Sequence, residues 1–420
     1  MTAAASTPAL WPAQAHVPSV LGRQIVVERG EGSYIVTADG RRLFDGTAGL
    51  WHANVGHGRP ELADAAAEQM RRLETYHVFG RFVNDQAVAL AERLAAMSPI
   101  PDSKVILNSG GGDAIDLACK LARRHWQRAG RRSKTMILSR EYAYHGLHAY
   151  GTSIGGLDFN REGYGTESLV PETARIPLHD VAATAALIDE IGADNIAALV
   201  TEPVQGTGGV HPPREDYLRR IADLCRANDI LLILDEVITG FGRTGTMFAA
   251  ERYGVTPDLI TFAKGVTSGY APLGGVLIAR PIWEPFFADG PDTPIFRHGA
   301  TYSGHAAACA VAMRNLDILE QEALLDRVKH LAVRLGDGLT ALAQRCPGVA
   351  EVRFAGFLGG VALTDDLDAV QVADRLIDAG FVSRPLRGNT LQISPPYITT
   401  DDELDAFLAA IETTVTELAS

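Results

Sequence analysis

Between about residues 60 and 300, short apolar runs alternate with stretches of helical periodicity. The run at 105–107 leads through glycines into a helical stretch over 113–126. Further runs lie at 135–138, at 196–200, and at 231–234 after a helix over 215–227. Two more, 259–262 and 276–279, complete the set. Strands alternating with helices predict an α/β fold whose mostly parallel sheet is sandwiched by helices. After about residue 305 the pattern changes to long amphipathic helices with short strands near 349–353 and 391–393. A smaller α+β domain is expected there, joined by the N-terminal turn and strand near residues 32–36. The division reads 59–305 for the large domain, and 1–58 with 306–420 for the small one. An Ala/Pro-rich leader covers roughly the first 20 residues, and no internal repeat is present.

Ligands in such sheets bind beyond the carboxyl ends of the strands, and polar residues follow four of these runs directly. Asn108-Ser-Gly-Gly-Gly112 follows the first, Glu202 the run at 196–200, Asp235 and Glu236 the run at 231–234, and Lys264 the run at 259–262. Gly110, Gly111 and Gly112 before a helix suit either a plain turn or the close approach of an anion to backbone N–H groups. Asp235 ends a strand buried on both faces and needs a partner: a protonated ring nitrogen, an arginine or a helix N-terminus. Lys264 alone reads as a surface loop lysine or as a pocket lysine able to form a Schiff base. Together, a phosphate cradle, an acid for a pyridinium nitrogen and an imine-forming lysine are the three requirements of pyridoxal phosphate.

Longer motifs carry a resemblance over nearly the whole chain, from Asp45-Gly-Thr-Ala-Gly-Leu-Trp51 to Ser394-Pro-Pro396. The most specific are Leu234-Asp-Glu-Val-Ile-Thr-Gly-Phe-Gly-Arg-Thr-Gly245 and Pro257-Asp-Leu-Ile-Thr-Phe-Ala-Lys-Gly265. Tyr144-His-Gly146, Glu202-Pro-Val-Gln-Gly206 and His298-Gly-Ala-Thr-Tyr-Ser-Gly304 accompany them. The sequence resembles the class III aminotransferases of fold type I, the group of omega-amino acid:pyruvate, ornithine and 4-aminobutyrate aminotransferases.

The resemblance implies pyridoxal 5'-phosphate as cofactor, with pyridoxamine phosphate as the intermediate between two half-reactions. It implies Lys264 as the cofactor-bearing lysine and proton shuttle, and Asp235 as partner of the pyridine nitrogen. Tyr144 and Val237 are implied on the two ring faces, Glu202 beside the ring hydroxyl, and Gly110, Gly111 and Gly112 at the phosphate. His145 follows the ring tyrosine in the motif, although a lone histidine there reads first as packed and hydrogen-bonded. Thr301 is similar to a threonine that reaches the phosphate from the partner subunit, so a homodimer with shared active sites is expected. Trp51 and Phe79 match substrate-pocket aromatics, and Arg384 matches an arginine that pairs with a substrate carboxylate. Arg387 competes for that role, because Arg384-Pro-Leu-Arg387 is one residue longer than the common Arg-Pro-Leu-Gly.

One departure concerns the phosphate loop. The family's usual Ser-Gly-Ser-Glu-Ala is Gly110-Gly-Gly-Asp-Ala114 here, so two hydroxyl contacts are missing and weaker phosphate retention is expected.

The expected reaction moves an amino group from a primary amine or omega-amino acid to a keto acid, both small molecules, by a ping-pong course. Amination of a larger or peptide-borne carbonyl is one alternative; an aminomutase or decarboxylating transaminase on the same scaffold is another.

Composition narrows the setting. A net charge of −13 argues against nucleic acid or anionic membranes as partners. Cys119, Cys225, Cys309 and Cys346 form no C-x-x-C pair and read as buried thiols of a reducing compartment, with no metal site. No basic and apolar leader pattern opens the chain, and no apolar run approaches the roughly 20 residues that span a bilayer. The cytoplasm is the expected location.

Overall fold

The computed structural model describes residues 9–165 and 169–419. The first eight residues of the Ala/Pro-rich leader lie outside them. Three N-terminal strands, β1 (Val27–Glu31), β2 (Tyr34–Thr37) and β3 (Arg42–Asp45), form an antiparallel ladder. Seven strands then build the central sheet: β4 (Lys104–Asn108), β5 (Met136–Arg140), β6 (Thr173–Ile176), β7 (Ile196–Thr201), β8 (Leu231–Asp235), β9 (Leu259–Phe262) and β10 (Gly274–Ile278). Their order is β4-β10-β9-β8-β7-β5-β6, and β10 alone runs against its neighbours. Five strands follow: β11 (Val349–Phe354), β12 (Gly359–Leu363), β13 (Phe381–Val382), β14 (Pro385–Leu386) and β15 (Thr390–Ile393). Four of these form a sheet ordered β11-β12-β15-β14, while β13 lies parallel to β3 and extends the N-terminal ladder.

The central strands are apolar throughout because both of their faces are covered. Every residue of β7, β8, β9 and β10 is buried. Alternation along β8 sends Leu231 and Ile233 toward the helix Gly111–Arg128, and Leu232 and Leu234 toward the side of Tyr217–Ala227. The apolar faces of those two helices, with Leu117, Leu121 and Leu218, Ile221, close the layers. In β6, by contrast, only Ile176 is fully buried, as befits an edge strand. Its Thr-Ala-Arg-Ile sequence carries no apolar run, which is why periodicity misses it.

The helix after β4 begins at Gly111, two residues before the reading from periodicity, and Gly110 is its N-cap. Two glycines of the loop therefore form the first helical turn. The four cysteines are buried and unpaired. Among the described residues, no helix is long and apolar enough to cross a membrane.

Candidate active site

The carboxyl ends of the parallel strands converge on one cavity. It is lined by Gly111, Gly112, Tyr144, His145, Gly146, Glu202, Asp235, Val237, Ile238, Ala263 and Lys264. Asp235 ends β8, and Lys264 stands two residues beyond β9 in a short turn at φ 44°. A left-handed lysine costs on the order of 1–2 kcal/mol and persists where its surroundings over-determine it.

Asp235 is held on three sides. Oδ1 accepts the Val237 N–H (3.1 Å) and the Thr261 hydroxyl (3.1 Å), and Oδ2 lies 2.7 Å from His145 Nδ1. Thr261 faces Asp235 directly in the β8–β9 register. Each carboxylate oxygen has two lone pairs, so acceptor capacity remains toward the cavity. His145 Nε2 is buried without a partner. Glu202, also buried, accepts the N–H groups of Tyr144 (3.1 Å) and Gly206 (2.9 Å). Burial raises the Glu202 carboxyl above its ordinary value, against the opposing pull of His145.

The chain has five lysines, and four are engaged elsewhere. Lys134 Nζ donates to the Ala193 and Ile196 carbonyls, Lys329 pairs with Asp326, Lys120 meets His298, and Lys104 lies over Trp283. Lys264 Nζ makes no hydrogen bond among the described residues; the Trp51 ring lies 5.7 Å away. Burial drives its ammonium down to about 8, with Arg384 adding to the effect and Asp235 and Glu202 opposing it. Such an amine gives up its proton readily and becomes a nucleophile.

These residues fit pyridoxal phosphate. At the far end of the cavity, the first N–H groups of Gly111–Arg128 have no partner within the helix, and the helix dipole favours an anion there. A Cβ at Gly111 would sit 3.0 Å from a Val237 methyl, so the absent side chain is what keeps this end open.

Trp51 is buried and left-handed (φ 62°), and its ring packs with Ile238, one of the lining residues. The Arg384 guanidinium stacks over that ring at 4.3 Å. Its Nε and Nη2 are buried without partners, and burial lowers it to about 10 despite nearby Tyr144. Arg387, by contrast, is exposed and stacks on Tyr142 at 3.5 Å. Arg387, Gly388 and Asn389 form the turn between β14 and β15, where Gly388 and Asn389 have positive φ.

Five expected residues do not line the cavity of this chain: Trp51 and Arg384, which stack on each other beside it, and Gly110, Phe79 and Thr301. Gly110 caps the helix beside it. Phe79 is half-exposed and lines a separate apolar groove with Val78, Phe296, His298 and Gly299. Thr301 is exposed in the turn just after Gly299. Sequence reading overlooked Thr261, Ile238 and Ala263; the one polar residue in the Leu259–Phe262 run was the available signal for the first.

Fold and site together define a transferase of the pyridoxal-phosphate type, and comparison with known proteins agrees. The profile of the family Aminotransferase class-III matches residues 17–415. The omega-amino acid–pyruvate aminotransferase of Pseudomonas putida is 34% identical over 411 residues, 92% of this chain and 90% of that protein. The beta-alanine–pyruvate aminotransferase of Pseudomonas aeruginosa is 34% identical over 410 residues, with 92% and 90% covered. Among solved structures, a thermostable (S)-enantioselective omega-transaminase from Thermomicrobium roseum superposes with a TM-score of 0.93 at 36% identity, covering 98% of this chain and 97% of that one. A PLP-bound amine transaminase from an uncultivated Pseudomonas species gives 0.91 at 35%, covering 98% and 99%. The chain belongs to the class III aminotransferase family and is an enzyme of amino-group transfer to keto acids, with fold type I architecture. The mutase, decarboxylating and large-carbonyl alternatives are not favoured by these relatives.

Proposed function

We propose that this chain is an omega-type aminotransferase carrying pyridoxal phosphate on Lys264, with a primary amine or omega-amino acid as donor. The observation that carries the reading is Lys264 itself: half-buried in the cavity wall, lowered to about 8 by desolvation, and without a hydrogen bond among the described residues beside the Asp235–His145 pair. When bound, the cofactor supplies a carbonyl for the amino group and a protonated ring that withdraws electrons from the adjacent carbon. Asp235, fixed by Thr261, Val237 and His145, keeps a carboxylate facing the ring nitrogen. Lys264 Nζ then takes and returns the proton at the substrate carbon. Tyr144 and Val237, which line the cavity, would hold the ring, and Gly111 and Gly112 would offer N–H groups to the phosphate. Arg384, a half-buried cation whose Nε and Nη2 have no partner among the described residues, is suited to a donor or acceptor carboxylate, and Trp51 walls the space beside it.

The same reading assigns Phe79 and Thr301 to the active site of a partner subunit in a cytoplasmic homodimer. Both are exposed and neither lines this chain's own cavity, which supports it. Domains of 59–305 and of 1–58 with 306–420 go with it; pairing of β3 with β13 supports the joining of the two ends. The test is spectroscopic. Amine donors should abolish the near-visible band of the holoenzyme, and pyruvate or 2-oxoglutarate should restore it. A band indifferent to every amine, or carbon dioxide released without an acceptor, overturns the reading.

A further inference from the structure

Asp45 closes β3, is buried, and lies outside the cavity lining, yet its carboxylate is fully engaged. Oδ1 accepts the Thr47 N–H (3.1 Å) and the Thr47 hydroxyl (2.8 Å). Oδ2 accepts the Gly49 N–H (2.7 Å) and lies 2.8 Å from His57 Nε2. Burial works against its charge, but the bonds from His57 and Thr47 hold the carboxyl below its ordinary value. His57 is itself anchored, since its main chain exchanges hydrogen bonds with Gly32 in both directions (2.8 and 3.0 Å). Gly30 leaves room for the ring, because a Cβ there would come within 2.5 Å of His57 Cβ.

The segment gripped by Asp45 is an unfavourable one. Ala48, Gly49 and Trp51 have φ values of 47°, 63° and 62°, and left-handed backbone costs a non-glycine residue on the order of 1–2 kcal/mol. Such conformations last only where neighbouring contacts outweigh them. The product of this strained turn is the placement of Trp51, whose ring lies under Arg384 and 5.7 Å from Lys264 Nζ.

We propose that Asp45 and His57 are positioning residues that hold the 46–51 turn so that Trp51 and Arg384 form the substrate wall. The proposal rests on the reading of Trp51 and Arg384 as substrate-facing. Substrate affinity therefore depends on a pair that touches neither substrate nor cofactor.

The test compares His57→Leu, which removes the ring donor, with His57→Gln, which keeps a donor of similar reach, both as holoenzymes. His57→Leu should raise KM for an omega-amino acid donor about tenfold, because small displacements of positioning groups are amplified at a reacting site. It should change kcat by less than about threefold on the same grounds. Cofactor affinity and the absorption maximum should stay at wild-type values, and His57→Gln should recover most of the lost affinity. Butanoate binding by calorimetry should weaken in parallel with KM, and it needs no turnover. If wild-type protein binds cofactor but consumes no amine, the aminotransfer reading fails while the butanoate comparison still decides the positioning role. A His57→Leu enzyme with wild-type KM and butanoate affinity overturns the proposal. So does one in which cofactor affinity falls as far as substrate affinity, which marks a general structural role. Should His57→Leu not fold, Asp45→Asn weakens the same pair and is read by the same criteria.

Discussion

At the residue scale the decisive property is the state of Lys264. Its folded value of about 8 lies below the ordinary 10.5. Between those values the unfolded chain binds a proton that the folded, cofactor-free protein has released. This group's contribution to stability therefore grows as pH rises through that window, and below it the desolvated ammonium is a full penalty. The same shift sets the chemistry. Covalent uptake of pyridoxal phosphate by the apo-protein should accelerate about tenfold per pH unit up to roughly pH 8 and then level off, following the free-amine fraction. Stopped-flow growth of the near-visible band reads the rate; a rise continuing to pH 10 would mean that Lys264 is solvated. Lys264, Asp235 and Glu202 were legible in the sequence because each stands at the end of an apolar run. Thr261 was not, because its role depends on the β8–β9 register, which a single strand does not reveal. The pairing of Asp45 with His57 was hidden for a similar reason: it crosses a left-handed turn that no periodicity encodes.

At the scale of elements, the glycine-rich N-terminus of Gly111–Arg128 is the part of the site where single substitutions say most. Starting the helix at Gly111 puts two side-chain-free residues where helix dipole and N–H groups meet an anion. The two glycines differ in what they tolerate. A Cβ at Gly112 would lie 3.2 Å from the ring of His148, a side chain that is about half exposed and free to yield. Gly112→Ser should then add a hydroxyl contact to a charged phosphate, a bond worth about 1.5–3 kcal/mol, and tighten cofactor binding roughly 10- to 100-fold. Gly111→Ala should do the reverse, since its methyl meets Val237 at 3.0 Å and pushes that side chain into the ring space. Cofactor dissociation followed by dialysis and absorbance measures both. Equal retention in Gly112→Ser and wild type would show that the missing hydroxyl has no cost. The sequence supplied the glycines and the missing serines, but the helix boundary that separates their roles came from the structure.

At the scale of the whole molecule, the chain gathers most of its site from one sheet but leaves Phe79 and Thr301 on an outer face. In the proposed homodimer, isologous pairing would bring both to the cavity of the partner subunit. Family motifs made both residues visible in the sequence, whereas their absence from the lining of this chain's own cavity is a property of the fold. Mixing two inactive variants tests the arrangement. Lys264→Ala and Thr301→Arg subunits, refolded together at equal amounts, should regain roughly a quarter of wild-type activity. Half of the dimers are then mixed, and each of those holds one intact site. No recovery, with mixed dimers confirmed by mass, would place each site within a single subunit.

The claim underlying all three scales is that Lys264 alone carries the cofactor. Borohydride reduction of the holoenzyme, followed by peptide mass mapping, reads this directly, because only five lysines are available. The account predicts a stoichiometric phosphopyridoxyl label on Lys264, lost together with the near-visible band in Lys264→Ala. A label on Lys104, Lys120, Lys134 or Lys329, or a band that survives in Lys264→Ala, would contradict it.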